Sequence, residues 1–166
     1  MSPRLRRFRR GPGDSLILSL APEEAEFLVL LPVELREVFD GPLDDPAGKR
    51  LFPAAYLDPT EEAAETQWKA MVHPDLMRQR LDALALVATS LERATREGEW
   101  MELSLEPDDV QAWLGVLNDV RLVLGTRLGV TEDDQQITPD DPRAGAYSVY
   151  AWLTGLQGDL IEQLLG

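Results

Sequence analysis

The chain has 166 residues, with 16 Lys and Arg against 30 Asp and Glu, a formal net charge of −14, one histidine and no cysteine. A chain of this length forms one sizeable hydrophobic core, and its composition is that of a globular rather than a disordered protein. The lack of cysteine excludes disulfides, thiolate zinc sites and a nucleophilic thiol, and a single histidine excludes multi-histidine metal sites.

No apolar run reaches the ~20 residues that a membrane-spanning helix needs. Only Leu16–Leu20 follows the arginine-rich start as an apolar stretch, and it is too short for the apolar region of a signal peptide. We therefore expect a cytoplasmic protein without a membrane segment.

The charge is divided unevenly along the chain. The first ten residues contain five arginines and no acid, whereas the remaining 156 residues contain 11 basic and 30 acidic side chains. We therefore predict a basic N-terminal arm over residues 1–13 and a single, mainly helical and strongly acidic domain over residues 14–166. The arginines of the arm are Arg4, Arg6, Arg7, Arg9 and Arg10.

Two short apolar segments predict strands, and each leads through a proline into a helix. The strands are Ser15–Leu20 and Trp100–Leu105, and we expect them to pair, in either direction, as a small two-stranded β element beside a helical bundle. The junctions read SLAPEE at 19–24 and SLEPDD at 104–109, where proline and acidic residues suit the first turn of a helix. The similarity of the two junctions leaves open whether the chain contains a degenerate two-fold repeat.

Helical periodicity covers most of the remaining chain, so the predicted fold is mainly α. Pro74 is expected to end one helix at about Val72 and to begin another that lasts to about Arg96. The other predicted helices run from Pro22 with a bend near Pro32, from Pro107 to about Leu128, and from Gly145 to Leu165.

The segment Trp113–Gly129 contains an asparagine and an arginine on an otherwise nearly apolar helix. Asn118 and Arg121 share one helix face, and Gln157 lies on a broad apolar face of the last helix. Buried polar groups are normally hydrogen-bonded, so an internal polar network is the favoured interpretation. The alternative is a groove for a ligand or partner, lined by Asn118, Arg121, Arg127 and Gln157.

The arginine arm admits several interpretations. Five arginines within seven residues are typical of an arm that contacts nucleic-acid phosphates, but the acidic domain repels a polyanion. The arm can equally contact the protein's own acidic surface or an acidic partner, or act only as a solubilising tail.

Other candidate sites lack a supporting motif. His73 has no neighbouring nucleophile or orienting acid, so a capping or exposed histidine is favoured over catalysis. The acidic runs at 44–45, 132–134 and 140–141 lack the spacing of a calcium-binding loop, and we expect them to be solvated. No phosphate-binding glycine motif is present. We therefore expect no enzymatic activity, no cofactor and no metal.

Two C-terminal segments carry a family resemblance. LNDVRLVLGTRLGV at 117–130 and YAWLTGLQGDLIEQLLG at 150–166 resemble the C-terminal half of an actinobacterial domain-of-unknown-function family, numbered twenty-seventeen. The N-terminal SLAPEEAEFL and PDLMRQRLDAL segments are similar in position and character. The resemblance implies a cytoplasmic, mostly helical protein without an established enzymatic activity. It also implies a link to oxidative-stress-responsive transcriptional regulation, in which a closely spaced cysteine pair is the sensor and an alternative sigma factor is the partner.

This chain departs from the family pattern because it has no cysteine to form the sensor pair. The prediction is therefore a non-enzymatic regulatory protein-interaction module, linked to stress-responsive transcription but without its own thiol redox switch. Its expected partner is a protein, with the transcription machinery or an alternative sigma factor as candidates. Three alternatives stay open: a DNA-contacting regulator that uses the arm, a small-ligand protein or enzyme with a site near Arg121 and Arg127, and a homodimer.

Overall fold

The structure, a computed structural model, describes residues 7–41, 46, 62–129 and 140–166. The prediction of a mainly α protein is confirmed. In chain order the elements are β1 (Phe8–Arg10), β2 (Leu16–Leu20), α1 (Pro22–Phe39), α2 (Glu62–Glu92), β3 (Thr95–Glu97), β4 (Trp100–Leu105), α3 (Pro107–Leu128) and α4 (Ala144–Leu165).

The strands form an antiparallel sheet in the order β1-β2-β4-β3. The predicted pairing of the two apolar strands is confirmed, but the prediction of a two-stranded element is wrong, because each of these strands has an outer neighbour. The outer strands read FRR and TRE, and apart from the buried Phe8 they are held by backbone hydrogen bonds rather than by apolar side chains of their own. Their sequences therefore lack the alternation from which a strand is predicted.

The strand β1 lies within the predicted arm of residues 1–13. Phe8 pairs with Leu18 of β2 and is 2% exposed. Just before the strand, the carbonyl of Arg7 accepts the backbone N–H of Ser19 at 2.8 Å. The described part of the predicted arm therefore contributes the first strand of the domain. Two further arginines of the arm, Arg4 and Arg6, lie outside the described residues.

Two predicted helix boundaries differ from the structure. The helix α2 is continuous through Pro74, so the predicted break there is wrong. A proline removes one N–H donor, and the other turns of a long helix keep their hydrogen bonds. The same helix ends at Glu92 rather than near Arg96. Gly98 has a φ of 63° in the two-residue turn between β3 and β4, a conformation that glycine adopts without steric strain.

The two apolar strands pair in a symmetric register. Leu16 lies opposite Leu105, and at the other end of the ladder Leu20 lies opposite Met101. An edge strand precedes each of them and a helix follows. The fold thus contains two strand–strand–helix units, β1–β2–α1 and β3–β4–α3, that meet along the β2–β4 pairing.

The helix of each unit begins with proline and carries an acidic side chain at its third position. Glu24 accepts the backbone N–H of the residue that precedes α1 at 2.8 Å, and Asp109 does the same at α3 at 2.9 Å. Each carboxylate also binds an arginine that precedes the first strand of its unit: Arg7 binds Glu24 at 2.8 Å, and Arg93 binds Asp109 at 3.0 Å. The sequence similarity between the two junctions therefore corresponds to the same capping arrangement at the N-termini of α1 and α3.

The central helix is α3, which contacts α1, α2 and α4. On the inner face of this helix Trp113, Leu117, Val120 and Leu128 are buried, and Leu124 is half-buried. Full burial of such side chains contributes about 1.5–3 kcal/mol each. The sheet contributes Phe8, Leu16, Leu18, Leu20, Leu103 and Leu105 to the same core.

Candidate interaction site

A polar contact joins the two C-terminal helices. Arg121 on α3 donates from Nε to the hydroxyl of Thr154 at 3.0 Å and from its guanidinium to the amide oxygen of Gln157, both on α4. The guanidinium carbon also lies 5.8 Å from the ring centroid of Tyr150. The three α4 residues are spaced four and three apart, which places them on one helix face. Arg121 and Gln157, two of the four predicted site residues, are thus brought together.

The other two predicted residues do not join this contact. Asn118 is exposed on α3, and Arg127 is exposed nearer the C-terminal end of the same helix. Helical spacing places Asn118 and Arg121 on one face of α3, but it does not define which residues of a neighbouring helix lie opposite that face. The predicted four-residue groove is therefore not a single site in the structure.

Arg127 instead lines a separate groove of about 200 Å³ between α1, α3 and α4. Glu34 of α1 is the other charged residue among those that line it. The apolar lining residues are Phe27, Leu31, Leu35, Val38, Val120, Val123, Leu124, Ala146 and Val149. A mainly apolar groove with few charged groups has the composition of a binding site for an apolar or amphipathic partner.

The outer side of α1 exposes further apolar residues next to this groove. Val29, Leu30 and Val33 are 53%, 54% and 61% exposed. We call these three residues, together with the exposed carboxylates Glu26, Glu34 and Glu37, the α1 face. Sequence reasoning missed this surface, although the signal was present: α1 carries apolar residues beyond its buried stripe, and a purely amphipathic surface helix does not.

The arm arginines that the structure describes are mainly engaged with the domain itself. Arg7 binds Glu24 through two hydrogen bonds of 2.8 Å, and its guanidinium carbon lies 5.6 Å from the ring centroid of Trp152 on α4. Arg9 binds the carboxylate of Glu102 in β4 at 2.5 Å, whereas Arg10 is exposed. This is the self-contact alternative among those considered for the arm.

The Glu24 carboxylate has an altered proton affinity. Burial raises the pKa of Glu24, but hydrogen bonds from Arg7 and from the backbone of Ala21, together with the charge of Arg7, lower it more. The net result is a pKa below the usual value of 4.5. Glu24 is therefore held as a carboxylate at the start of α1, where negative charge is favourable.

A second ion pair ties α2 to α3. Asp119 is 5% exposed and binds Arg80. Burial raises the pKa of Asp119, while the hydrogen bond and charge of Arg80 lower it, and burial prevails. Both this carboxylate and that of Asp109 are paired with arginines of neighbouring segments, so they do not form an open acidic site.

The remaining predicted features are placed as follows. Within the described ranges no three His, Cys, Asp or Glu residues are grouped so as to hold a metal ion. Asp141 binds Arg143 at 3.2 Å, and His73 lies within α2. The acidic runs at 44–45 and 132–134 lie outside the described residues. Among the helices of the described part, none is long and apolar enough to span a membrane.

Comparison with known proteins gives one family and several relatives. A family model described as "Domain of unknown function (DUF2017)" matches residues 5–164. Two proteins named oxidative stress regulator AosR, from Mycobacterium tuberculosis and Mycobacterium bovis, are 30% identical to the chain over 135 residues. A relative from Mycobacterium leprae is 29% identical over 130 residues. These matches cover 74% of this chain and only 59% of the length of each relative. No solved structure matches the chain.

Proposed function

The chain belongs to the family described as domain of unknown function DUF2017, and on that premise we propose that it is a non-enzymatic regulatory module of the oxidative stress response that acts by binding another protein. The observation that carries this proposal is the 30% identity over 135 residues to proteins named oxidative stress regulator. The transcription machinery, including an alternative sigma factor, is the proposed partner, and the chain would then work in the cytoplasm.

The proposed mechanism does not use a thiol. The sequence has no cysteine, so a disulfide within this chain cannot report the redox state. The chain would instead contribute a binding surface, and the signal would come from elsewhere. An acidic surface of this kind favours encounter with a basic protein partner, because complementary potentials raise association rates.

Direct DNA binding through the arm has less support. Arg7 and Arg9 pair with Glu24 and Glu102 of the domain, so of the described arm arginines only Arg10 is exposed and outside these two pairs. Binding to duplex DNA at low salt that weakens steeply as salt rises, and that is lost on deletion of residues 1–6, would favour this alternative.

A small-ligand protein is the second candidate, and the groove beside Arg127 is the observation that favours it. A ligand that occupies the groove stabilises the folded state by mass action. A thermal-shift screen of apolar carboxylic acids against the wild type and Arg127→Ala tests this candidate. A shift that requires Arg127 would support it.

A genetic experiment tests the main proposal. The gene is deleted in its source bacterium, and transcripts are measured before and after a pulse of hydrogen peroxide. We expect oxidant-responsive transcripts to change in the deletion strain and to be restored by a wild-type copy. An unaltered oxidant response, with growth and other transcripts also unaltered, would contradict the proposal.

A further inference from the structure

We infer that the α1 face and the groove beside it form a docking surface for an amphipathic helix of a protein partner, with basic residues flanking the partner's apolar stripe. This inference rests on the proposed function, since it names the kind of protein that the module binds. Helices with an apolar stripe commonly bind in such grooves through anchors three and four residues apart.

The apolar part of the surface is continuous. Val29 and Val33 are four residues apart and lie one turn above each other on α1, with Leu30 between them. Leu30 in turn lies three residues after Phe27 and four before Glu34, two residues that line the groove. Exposed apolar side chains scattered singly need no explanation, but a contiguous patch that leads into a groove marks an interaction site.

The charges around this patch are acidic. Glu26, Glu34 and Glu37 are exposed, and none of them forms an ion pair with another residue in the described part of the chain. The basic side chain nearest to them along α1 is Arg36, which pairs with Asp40. Three unneutralised carboxylates beside exposed valine and leucine residues are complementary to lysine and arginine on a partner.

The length of the surface fits one partner helix. Glu26 and Glu37 are eleven residues apart, which corresponds to about 16 Å or three helical turns. A helix of about three turns presents three or four apolar anchors on one side, which matches the number of exposed apolar residues on α1.

The same charges argue against the other occupants of such a surface. In a symmetric dimer the α1 face would meet its own copy, so that carboxylates would face carboxylates. Nucleic acid and anionic membranes are repelled for the same reason, because the charged residues of the α1 face are all carboxylates and the whole chain carries −14. A basic, amphipathic protein helix satisfies both the apolar and the charged part of the surface.

A designed peptide tests the inference directly. The probe is a fluorescein-labelled helix of about fourteen residues, with leucines in one stripe and lysines on both sides of it. Fluorescence anisotropy measures its binding to the full chain. We expect Leu30→Asp and Val33→Asp to weaken binding at least about tenfold, and the milder Val33→Ser to weaken it less. The matched control is Leu165→Asp, since Leu165 is an exposed leucine at the end of α4.

Charge reversal separates a specific surface from general attraction to an acidic protein. The double substitution Glu26→Lys and Glu37→Lys should weaken binding strongly. Its matched control reverses two exposed acids on α4, Asp159→Lys and Glu162→Lys, which changes the net charge equally. We expect the control to retain most of the affinity. Circular dichroism of every variant shows whether it is folded.

Several results would overturn the inference. Equal loss of affinity in both double variants means that only net charge matters, and equal binding of a scrambled peptide means that no helical stripe is recognised. Self-association that Val33→Asp abolishes and Leu165→Asp leaves intact would assign the α1 face to a second copy of the chain. If the peptide does not bind but deletion of the gene alters the oxidant response, the docking surface is refuted and the proposed function stands.

Discussion

The guanidinium of Arg9 in the edge strand β1 reaches across β2 to the carboxylate of Glu102 in β4, with N–O distances of 2.5 and 2.9 Å. The hydroxyl of Ser19 in β2 lies between them, 3.1 Å from both partners. The hydrogen bonding of Arg9 to the Glu102 carboxylate, which accepts, raises the pKa of Arg9 above its usual range, although burial opposes this. One ion pair thus fastens three strands together on the face of the sheet opposite Leu18.

Replacing Arg9 should destabilise the fold. Arg9→Ala removes the ion pair with the Glu102 carboxylate, which is 12% exposed, and we expect the free energy of unfolding to fall by about 1–2 kcal/mol. Urea unfolding followed by circular dichroism measures the change. Arg10→Ala is the matched control, since Arg10 is exposed on the same strand and should change stability by less than about 0.5 kcal/mol. Equal effects of the two substitutions would show that the ion pair contributes nothing.

The acid dependence of stability should depend on Glu24. Its pKa in the folded protein is lowered from 4.5, so its contribution is fully present above that value and is lost as the pH falls through the folded-state pKa. Glu24→Gln should therefore be less stable than wild type at pH 7 and should lose less stability between about pH 5 and pH 3. Thermal melts across this range measure both effects. Glu23→Gln, at an exposed neighbour, should keep the wild-type slope.

The contact between α3 and α4 should be structural. Arg121→Ala removes the hydrogen bonds to Thr154 and Gln157 and the contact with Tyr150, and we expect unfolding to become easier by about 1–2 kcal/mol. Arg127→Ala, on the same helix, should leave stability within about 0.5 kcal/mol of wild type. A stable Arg121→Ala protein that has lost partner binding would instead favour the binding-site interpretation of Arg121.

Two glycine substitutions should change the stability of the folded protein in opposite directions. Gly98→Ala places a side chain at a φ of 63° in the β3–β4 turn and should destabilise by about 1 kcal/mol. Gly115 is a solvent-exposed residue in the middle of α3, where an added Cβ meets nothing within 4 Å. Gly115→Ala should therefore raise the free energy of unfolding by roughly 0.5–1 kcal/mol. Denaturant midpoints measure both. A stabilising Gly98→Ala would contradict the turn geometry.

Part of the candidate site could be predicted and part could not. Arg121 and Gln157 were both among the predicted site residues because each interrupts an apolar helix face, and in the structure they form a hydrogen bond with each other. The separation of Arg127 from them depends on how α1 packs beside α3, and no periodicity within α3 specifies that. The α1 face was not predicted, because periodicity within one helix does not show which of its apolar residues the other elements leave exposed.

The sequence by itself determined the mainly helical class, the two apolar strands predicted at Ser15–Leu20 and Trp100–Leu105, the proline–acid helix starts and the exclusion of cysteine chemistry. These features depend on side-chain pattern or composition within a few residues. Only the tertiary structure decided that the arginine-rich start supplies an edge strand and that Arg7 and Arg9 pair with Glu24 and Glu102 of the domain. Arg9 and Glu102 are 93 residues apart along the chain, and a contact at that separation follows from the sheet order, which local pattern does not specify.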